Sequence, residues 1–169
     1  MHSLAVSKRQ PPSSCRKPLS SGSQTGHSMS SSIDEIQDQI IEEFQLFDQW
    51  IEKYEYIIEL GRNLPDLDDQ YMRDENLVPG CQSRVWLHAE LKGCKAVYAA
   101  DSDAIITKGI IALLIRVLSE QPPESVHEAE LYFIDRIGLK DHLSSTRSNG
   151  LVSMINKMRT VARELTEVA

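Results

Sequence analysis

One stretch of the chain changes its hydrophobic period, and that change limits the fold more than any other feature. Val85, Leu87, Ala89 and Leu91 alternate with Arg84, Trp86, His88, Glu90 and Lys92, the period-two pattern of a half-buried strand. Lys92-Gly93 can turn the chain, and Cys94 to Ala100 then supplies an antiparallel partner, so a hairpin is expected. No second such pattern follows. The segments on either side carry helical spacing, so the expected fold is α+β, with helices packed on one small antiparallel sheet.

The first helix announces its own start. Ser32-Ile33-Asp34-Glu35 reads as a capping box, in which the Ser and Glu side chains reciprocally satisfy amides of the first turn. Ile33, Ile36, Ile40, Phe44, Phe47, Ile51, Tyr54 and Ile58 then recur at three- and four-residue steps, one apolar stripe against an acidic face. This run is one long helix or two broken near Asp48, and Gly61 followed by Leu64-Pro65 is read as its left-handed cap and stop. From Asp66 to Val78 the chain is acidic and aperiodic, a surface loop with room for one helical turn. Asp101-Ser102-Asp103 offers capping side chains to a central buried helix from Ala104 to Ser119, closed by Pro122-Pro123. A third helical segment from Val126 to Ile137 stops at Gly138, and a last helix after Ser144-Ser145-Thr146 carries Leu151, Ile155, Met158, Ala162 and Leu165.

Residues 1–31 are Ser-, Pro- and Gly-rich, carry Lys8, Arg9, Arg16 and Lys17, and contain no acid. Such a composition is expected to be disordered. It reads as an appended leader, a solvated basic arm or the end of an organelle transit peptide, with Met29 as a candidate start; the lack of an apolar run disfavours a secretory signal. Residues 32–169 are then the folded domain, and a chain of 169 residues with 41% hydrophobic content suffices for one core. The formal net charge of -7 argues against a nucleic-acid partner, which requires a basic stripe to release counterions. The longest apolar stretch, Ile105 to Leu118, is interrupted by Lys108, Gly109 and Arg116, so no membrane span is expected.

Cys15, Cys81 and Cys94 are an odd set without C-x-x-C spacing, which fits a reducing compartment better than a secreted disulfide framework. A cytoplasmic protein is expected, or a stromal one if the arm is a transit peptide. Cys15 lies in the polar arm and Cys94 inside the apolar strand pattern, where packing is its expected role. Cys81 differs, because Pro79 fixes the chain and Gly80 then frees it, a combination that can present a thiol at a loop tip. A nucleophilic cysteine works as thiolate, and Arg84, with Arg147 if folding brings it across, offers the cation to stabilise one. The opposing reading of Cys81 is a small buried residue at a strand start.

The stretch Val78-Pro79-Gly80-Cys81-Gln82-Ser83-Arg84-Val85-Trp86 resembles the cysteine loop and strand of the SufE family of sulfur acceptors. Ser102-Asp103-Ala104 leading into Lys108-Gly109-Ile110-Ile111-Ala112-Leu113 resembles its next block, and Ser145-Thr146-Arg147-Ser148-Asn149-Gly150-Leu151 with Met154 its closing motif. Tyr54 to Leu60 with Gly61 and Leu64-Pro65 is similar to the end of its first helix, so ordered blocks run from about Ile36 to Arg163. The resemblance implies a fold shared with IscU-type scaffolds and a role as sulfur carrier. Cys81 would accept persulfide sulfur from a SufS-type cysteine desulfurase, stimulate that enzyme and pass sulfur to a SufBCD-type scaffold for iron–sulfur cluster assembly. It also implies no cofactor on this chain, the pyridoxal phosphate belonging to the desulfurase, and no metal. Whether to count the chain an enzyme is left open by a role that stops at covalent carriage.

Around Cys81, the residues Gly80, Gln82, Ser83, Arg84, Asp103 and Arg147 are the candidate supporting set. Asp103 and Arg147 match family positions near the cysteine loop and the docking surface, but Asp103 can equally cap a helix and Arg147 can close its own turn. His88, on the polar side of its strand, reads as a solvated histidine. The acidic run from Asp66 to Glu75 is either solvated or a dock for a basic patch. Two other functions compete: an iron–sulfur scaffold, which needs several converging thiolates, and a thiol redox switch, which needs a resolving cysteine.

Overall fold

The computed structural model describes residues 31–167. Cys15, Met29 and the arm up to residue 30 lie outside them. Eight elements follow in chain order: α1 Ile33–Gln45, α2 Trp50–Asn63, β1 Val85–Lys92, β2 Lys95–Ser102, α3 Ile105–Leu118, α4 Pro123–Glu128, α5 Phe133–Arg136 and α6 Ser145–Glu167. β1 and β2 form a two-stranded antiparallel sheet, with Val85 opposite Ser102 and Lys92 opposite Lys95. The architecture is α+β, as the single period-two stretch requires.

The capping box closes as expected: Ser32 N–H donates to Glu35 Oε2 at 3.0 Å and Glu35 N–H to Ser32 Oγ at 3.2 Å. The long apolar stripe is two helices. Glu52 breaks it by accepting from the backbone amides of both Asp48 and Gln49, at 3.1 and 3.2 Å, which caps a new helix. Glu43 on α1 then reaches α3 through a two-pronged pair with Arg116, 2.7 and 2.6 Å, and accepts from Tyr56 Oη of α2 at 2.5 Å. Three helices meet at that carboxylate.

α3 runs through the middle of the molecule, with Ile110, Ile111, Leu113, Leu114, Val117 and Leu118 almost wholly buried. Each such aliphatic side chain contributes about 1.5–3 kcal/mol relative to an exposed one. One side of α3 meets α2 so closely that a Cβ on Gly109 would lie 2.2 Å from the Ile57 carbonyl oxygen, and one on Gly61 2.7 Å from the Gly109 nitrogen. Gly61 is therefore a helical contact residue inside α2, not the left-handed cap expected from its place before Leu64-Pro65. Its small size is used for helix approach rather than for a turn. The sheet lies nearby, with Val85 and Leu87 of β1 and Ala96, Tyr98 and Ala100 of β2 buried, and Tyr98 donates its hydroxyl to the Met158 carbonyl of α6 at 2.8 Å.

Other expectations shift in register or extent. The hairpin turn is Gly93-Cys94, because Gly93 takes φ +62 at the first of two central positions, where glycine suits a tight hairpin. Cys94 thus sits half-buried in the turn and not in a strand interior. The acidic loop carries two 3-10 turns, Asp69–Tyr71 and Asp74–Asn76, where one helical turn was expected. The N-cap residue of α3 is Ala104, without a side-chain cap; Asp101 is drawn instead to Lys108, which also pairs with Asp66, at 3.2 and 3.3 Å. The segment expected as one helix from Val126 to Ile137 is α4 and α5 with a break between them. Gln37, fully buried on α1, fills that break by donating to the Glu130 carbonyl at 3.0 Å and accepting from the Phe133 amide at 3.2 Å. A polar bridge from 96 residues away replaces the helical bonds the break gives up.

Candidate functional site

Val78 N–H donates to the Val85 carbonyl at 2.8 Å, closing a six-residue loop, Pro79 to Arg84, over the start of β1. Gly80 takes φ +82 after Pro79, the arrangement of a type II turn, whose third position favours glycine. That turn presses on α6: a Cβ on Gly80 would meet Ser153 Oγ at 2.8 Å. The other end of the loop is tied to the start of α3. Arg84 N–H donates to Asp103 Oδ1 at 3.0 Å, Asp103 N–H donates to the Arg84 carbonyl at 3.2 Å, and Ser102 Oγ donates to the same carbonyl at 2.8 Å.

Between these anchors sits Cys81, half-buried and the free thiol among the described residues. Its Sγ donates to the Gly150 carbonyl of α6 at 3.6 Å. A Cβ on Gly150 would lie 3.4 Å from that sulfur, so the glycine makes room for the thiol to lie on the helix. Burial pushes the Cys81 thiol above its ordinary value, and no neighbouring charge counteracts it. The resting sulfur is a protonated, hydrogen-bonded thiol.

Beside Cys81 a cleft of about 70 Å³ is lined by Gln82, Ser83 and Arg147. Thr107 and Thr146 add hydroxyls, while Ile110 and Met154 supply its apolar side. Of the residues singled out from the sequence, Cys81, Gln82, Ser83 and Arg147 thus meet in one place. Arg147 arrives because Ser144 Oγ accepts from the Arg147 amide at 3.4 Å, in the first turn of α6. Arg84 and Asp103 hold the loop from behind and do not line the cleft, and Asp103 ties the strand start instead of capping α3. Thr107, Gly150 and Ser153 were not foreseen as site residues. They come from α3 and α6, and only the tertiary crossing of those helices brings them to the loop.

His88 is not solvated as expected. Its ring stacks on Tyr71, centroids 3.7 Å apart and planes 13° from parallel, and its Nε2 is buried without a hydrogen-bond partner. Burial lowers the imidazole below its ordinary value, and Glu90 opposes that only in part.

Among the described residues no helix is long and apolar enough to cross a membrane. The chain matches the SufE family, described as an Fe-S metabolism associated domain, over residues 38–162. A SufE-like protein of Rhizobium etli is 39% identical over 131 residues, covering 75% of this chain and 88% of its own. Another, from Rhizobium meliloti, is 38% identical over 130 residues, covering 74% and 93%. A solution structure of a hypothetical protein from Thermus thermophilus superposes with a TM-score of 0.66 at 21% identity, covering 78% of this chain and 96% of that one, which supports the fold alone. With its cysteine loop, central helix and closing helix all inside the matched span, the chain belongs to the SufE family and is associated with iron–sulfur metabolism.

Proposed function

We propose that this chain is a sulfur carrier that takes sulfane sulfur from a cysteine desulfurase onto Cys81 and delivers it to iron–sulfur cluster assembly. The observation that carries the reading is the free Cys81 thiol on a loop tied at both ends, beside a cleft with room for a small added group and with Arg147 on its wall. The thiolate of Cys81 attacks the outer sulfur of the desulfurase's cysteine persulfide. A new sulfur–sulfur bond forms, the old one breaks, and the desulfurase cysteine leaves as thiolate, so that no net oxidation occurs. Delivery repeats the exchange with Cys81 as the leaving thiolate. Pyridoxal phosphate, which cleaves the carbon–sulfur bond of free cysteine, belongs to the desulfurase.

Burial and the bond to Gly150 keep the resting thiol protonated, so attack requires the sulfur to leave that seat and lose its proton. Docking of the desulfurase at the loop supplies the occasion, and Arg147 is the cation available in the cleft to meet the anion. Gly80, Gln82, Ser83, Arg84 and Asp103 act by shaping and anchoring the loop. The competing readings lack a second thiol within reach among the described residues. Cys94 lies at the opposite end of β1, about 25 Å away along an eight-residue strand, too far to share iron with Cys81 or to resolve its sulfenic acid.

The test is mass spectrometry after incubation with a SufS-type desulfurase and cysteine. One sulfur atom's mass should appear on Cys81, and desulfurase turnover should rise. Cys81→Ser should abolish both effects. Labile sulfur carried by Cys81→Ser would overturn the proposal, and a visible iron chromophore bound through Cys81 would replace it with the scaffold reading.

A further inference from the structure

We propose that the Thr107 hydroxyl anchors the outer sulfur of a Cys81 persulfide, which turns into the cleft between the cysteine loop, α3 and α6 once the thiol is loaded. The inference rests on the carrier reading for the origin of that sulfur and on the cleft for its place. The unloaded thiol donates its proton to the Gly150 carbonyl at 3.6 Å. Loading takes that proton away: the Cys81 thiolate attacks a sulfane sulfur, a sulfur–sulfur bond forms, the donor leaves as thiolate, and Sγ has nothing left to donate. A carbonyl oxygen does not hold an unprotonated sulfur, so the added atom moves into the space beside the seat. The cleft there is about 70 Å³, well above the roughly 10–15 Å³ that admits one water.

The polar groups around this space are not alike. Gln82, Thr146 and Arg147 are exposed and Ser83 is half-buried, so water reaches them at the rim. Thr107 is only 8% exposed, and with Gln37 and Gln121 it makes up the buried polar side chains of the described residues. The other two are engaged: Gln37 bridges to Glu130 and Phe133, and Gln121 donates to the Ser31 carbonyl at 2.9 Å. The Thr107 hydroxyl has no hydrogen-bond partner among the described residues, although Thr107 lines the cleft. A buried hydroxyl left unpaired is costly, and a loaded sulfur supplies the acceptor it lacks.

Its place on α3 suits the task. A helical side chain leans toward the start of its helix, and just before that start Asp103 accepts from the Arg84 amide of the cysteine loop at 3.0 Å. The first turn of α3 thus carries Thr107 to the loop. Ile110 and Met154 form the apolar part of the wall, and an anion brought against them needs a donor to offset its lost hydration. A persulfide is more acidic than the thiol it is built on, so its outer sulfur is that anion at neutral pH. Arg147 meets it from the rim and Thr107 from inside.

The test needs no desulfurase. Inorganic polysulfide loads the full chain, the Cys81 thiolate taking one sulfur and displacing a shorter polysulfide, and the same treatment of Cys81→Ser subtracts sulfur carried elsewhere. Ionisation of the persulfide is then followed by its near-ultraviolet absorbance against pH. Thr107→Val keeps the shape and deletes the hydroxyl, and should raise the midpoint by about one unit, an about tenfold smaller anion fraction at a pH below it. Thr107→Ser should return the midpoint to the wild-type value. A role in packing alone would follow volume instead, leaving Thr107→Val equal to wild type and Thr107→Ser different. Equal midpoints in wild type and Thr107→Val overturn the inference, and so does a Thr107→Ser midpoint that stays with that of Thr107→Val. Incubation with a SufS-type desulfurase and cysteine reads the carrier role separately. A chain that takes no sulfur from the desulfurase, yet shows the Thr107 dependence with polysulfide, loses the carrier role and keeps the site.

Discussion

Cys81 and Gly150 are held together across 69 residues of sequence, the thiol donating to the glycine carbonyl at 3.6 Å. With its proton engaged there, a thiol on an outer loop is expected to be chemically quiet in the isolated protein. Burial holds its proton on, so the thiolate fraction at neutral pH is smaller than for a free cysteine. Alkylation of the native protein by iodoacetamide should therefore show a pH midpoint above that of the urea-unfolded chain. A group whose folded pKa is raised stabilises the fold fully below its unfolded pKa and loses that contribution as pH rises through the folded one. Stability should accordingly fall on the alkaline side in wild type and less so in Cys81→Ser. A native midpoint at or below the unfolded one would show that Arg147 already holds a thiolate.

Gly150→Ala separates the seat of the sulfur from the stability of the helix. The new methyl would touch Cys81 Sγ at 3.4 Å, the near limit of ordinary contact, and so crowd the thiol in its seat, while alanine favours the interior of α6 by about 0.5–1 kcal/mol. Expected is an unchanged or slightly raised melting temperature together with faster alkylation of Cys81 at fixed pH. Equal alkylation rates in the two proteins would mean that the bond to Gly150 does not restrain the sulfur.

Features decided by neighbours along the chain were legible in the sequence. The capping box at Ser32 and Glu35, the turn at Pro79-Gly80 and the alternation through β1 each depend on residues a few positions apart. Features decided across the fold were not. Gly61 resembles a helix cap because Leu64-Pro65 follows it, but Gly109 of α3 claims its small size from 48 positions away. The break between α4 and α5 has no local breaker and is held by Gln37 from α1. His88 alternates as a surface residue should, and only the return of the acidic loop lays Tyr71 over it. The cysteine loop was readable in itself, and the resemblance of its blocks pointed to Arg147. The floor of Gly150, Thr107 and Ser153 needed the helix crossing.

The crossing of α2 and α3 is the least forgiving packing contact. A Cβ on Gly109 would sit 2.2 Å from the Ile57 carbonyl oxygen, which is backbone and cannot step aside alone. Gly109→Ala should therefore cost about 3 kcal/mol or more by forcing the helices apart, lowering the melting temperature by roughly 10 °C. Gly93→Ala is the contrast: its Cβ meets nothing, so only the φ of +62 resists it, at about 1–2 kcal/mol. Equal losses in chemical denaturation would mean that helix approach contributes nothing special.

Glu43 supplies the acid-sensitive element. The guanidinium of Arg116, bonding both carboxylate oxygens, holds Glu43 below the usual carboxylate range, with Tyr56 adding to the effect against the cost of burial. A carboxyl depressed in the folded state contributes stability that is present above its unfolded pKa of about 4.3 and lost as pH falls through the folded value. About a third of each side chain reaches solvent, 35% for Glu43 and 32% for Arg116, so the pair is screened and worth about 1 kcal/mol rather than the figure for a sealed ion pair. Glu43→Gln should thus lower the melting temperature by roughly 2–4 °C at neutral pH. The two proteins should converge once acid has protonated Glu43 in the wild type, because glutamine and the neutral acid then present similar groups to Arg116. A melting difference that stayed constant from neutral to acidic pH would assign the loss to packing among α1, α2 and α3 instead of to the charge.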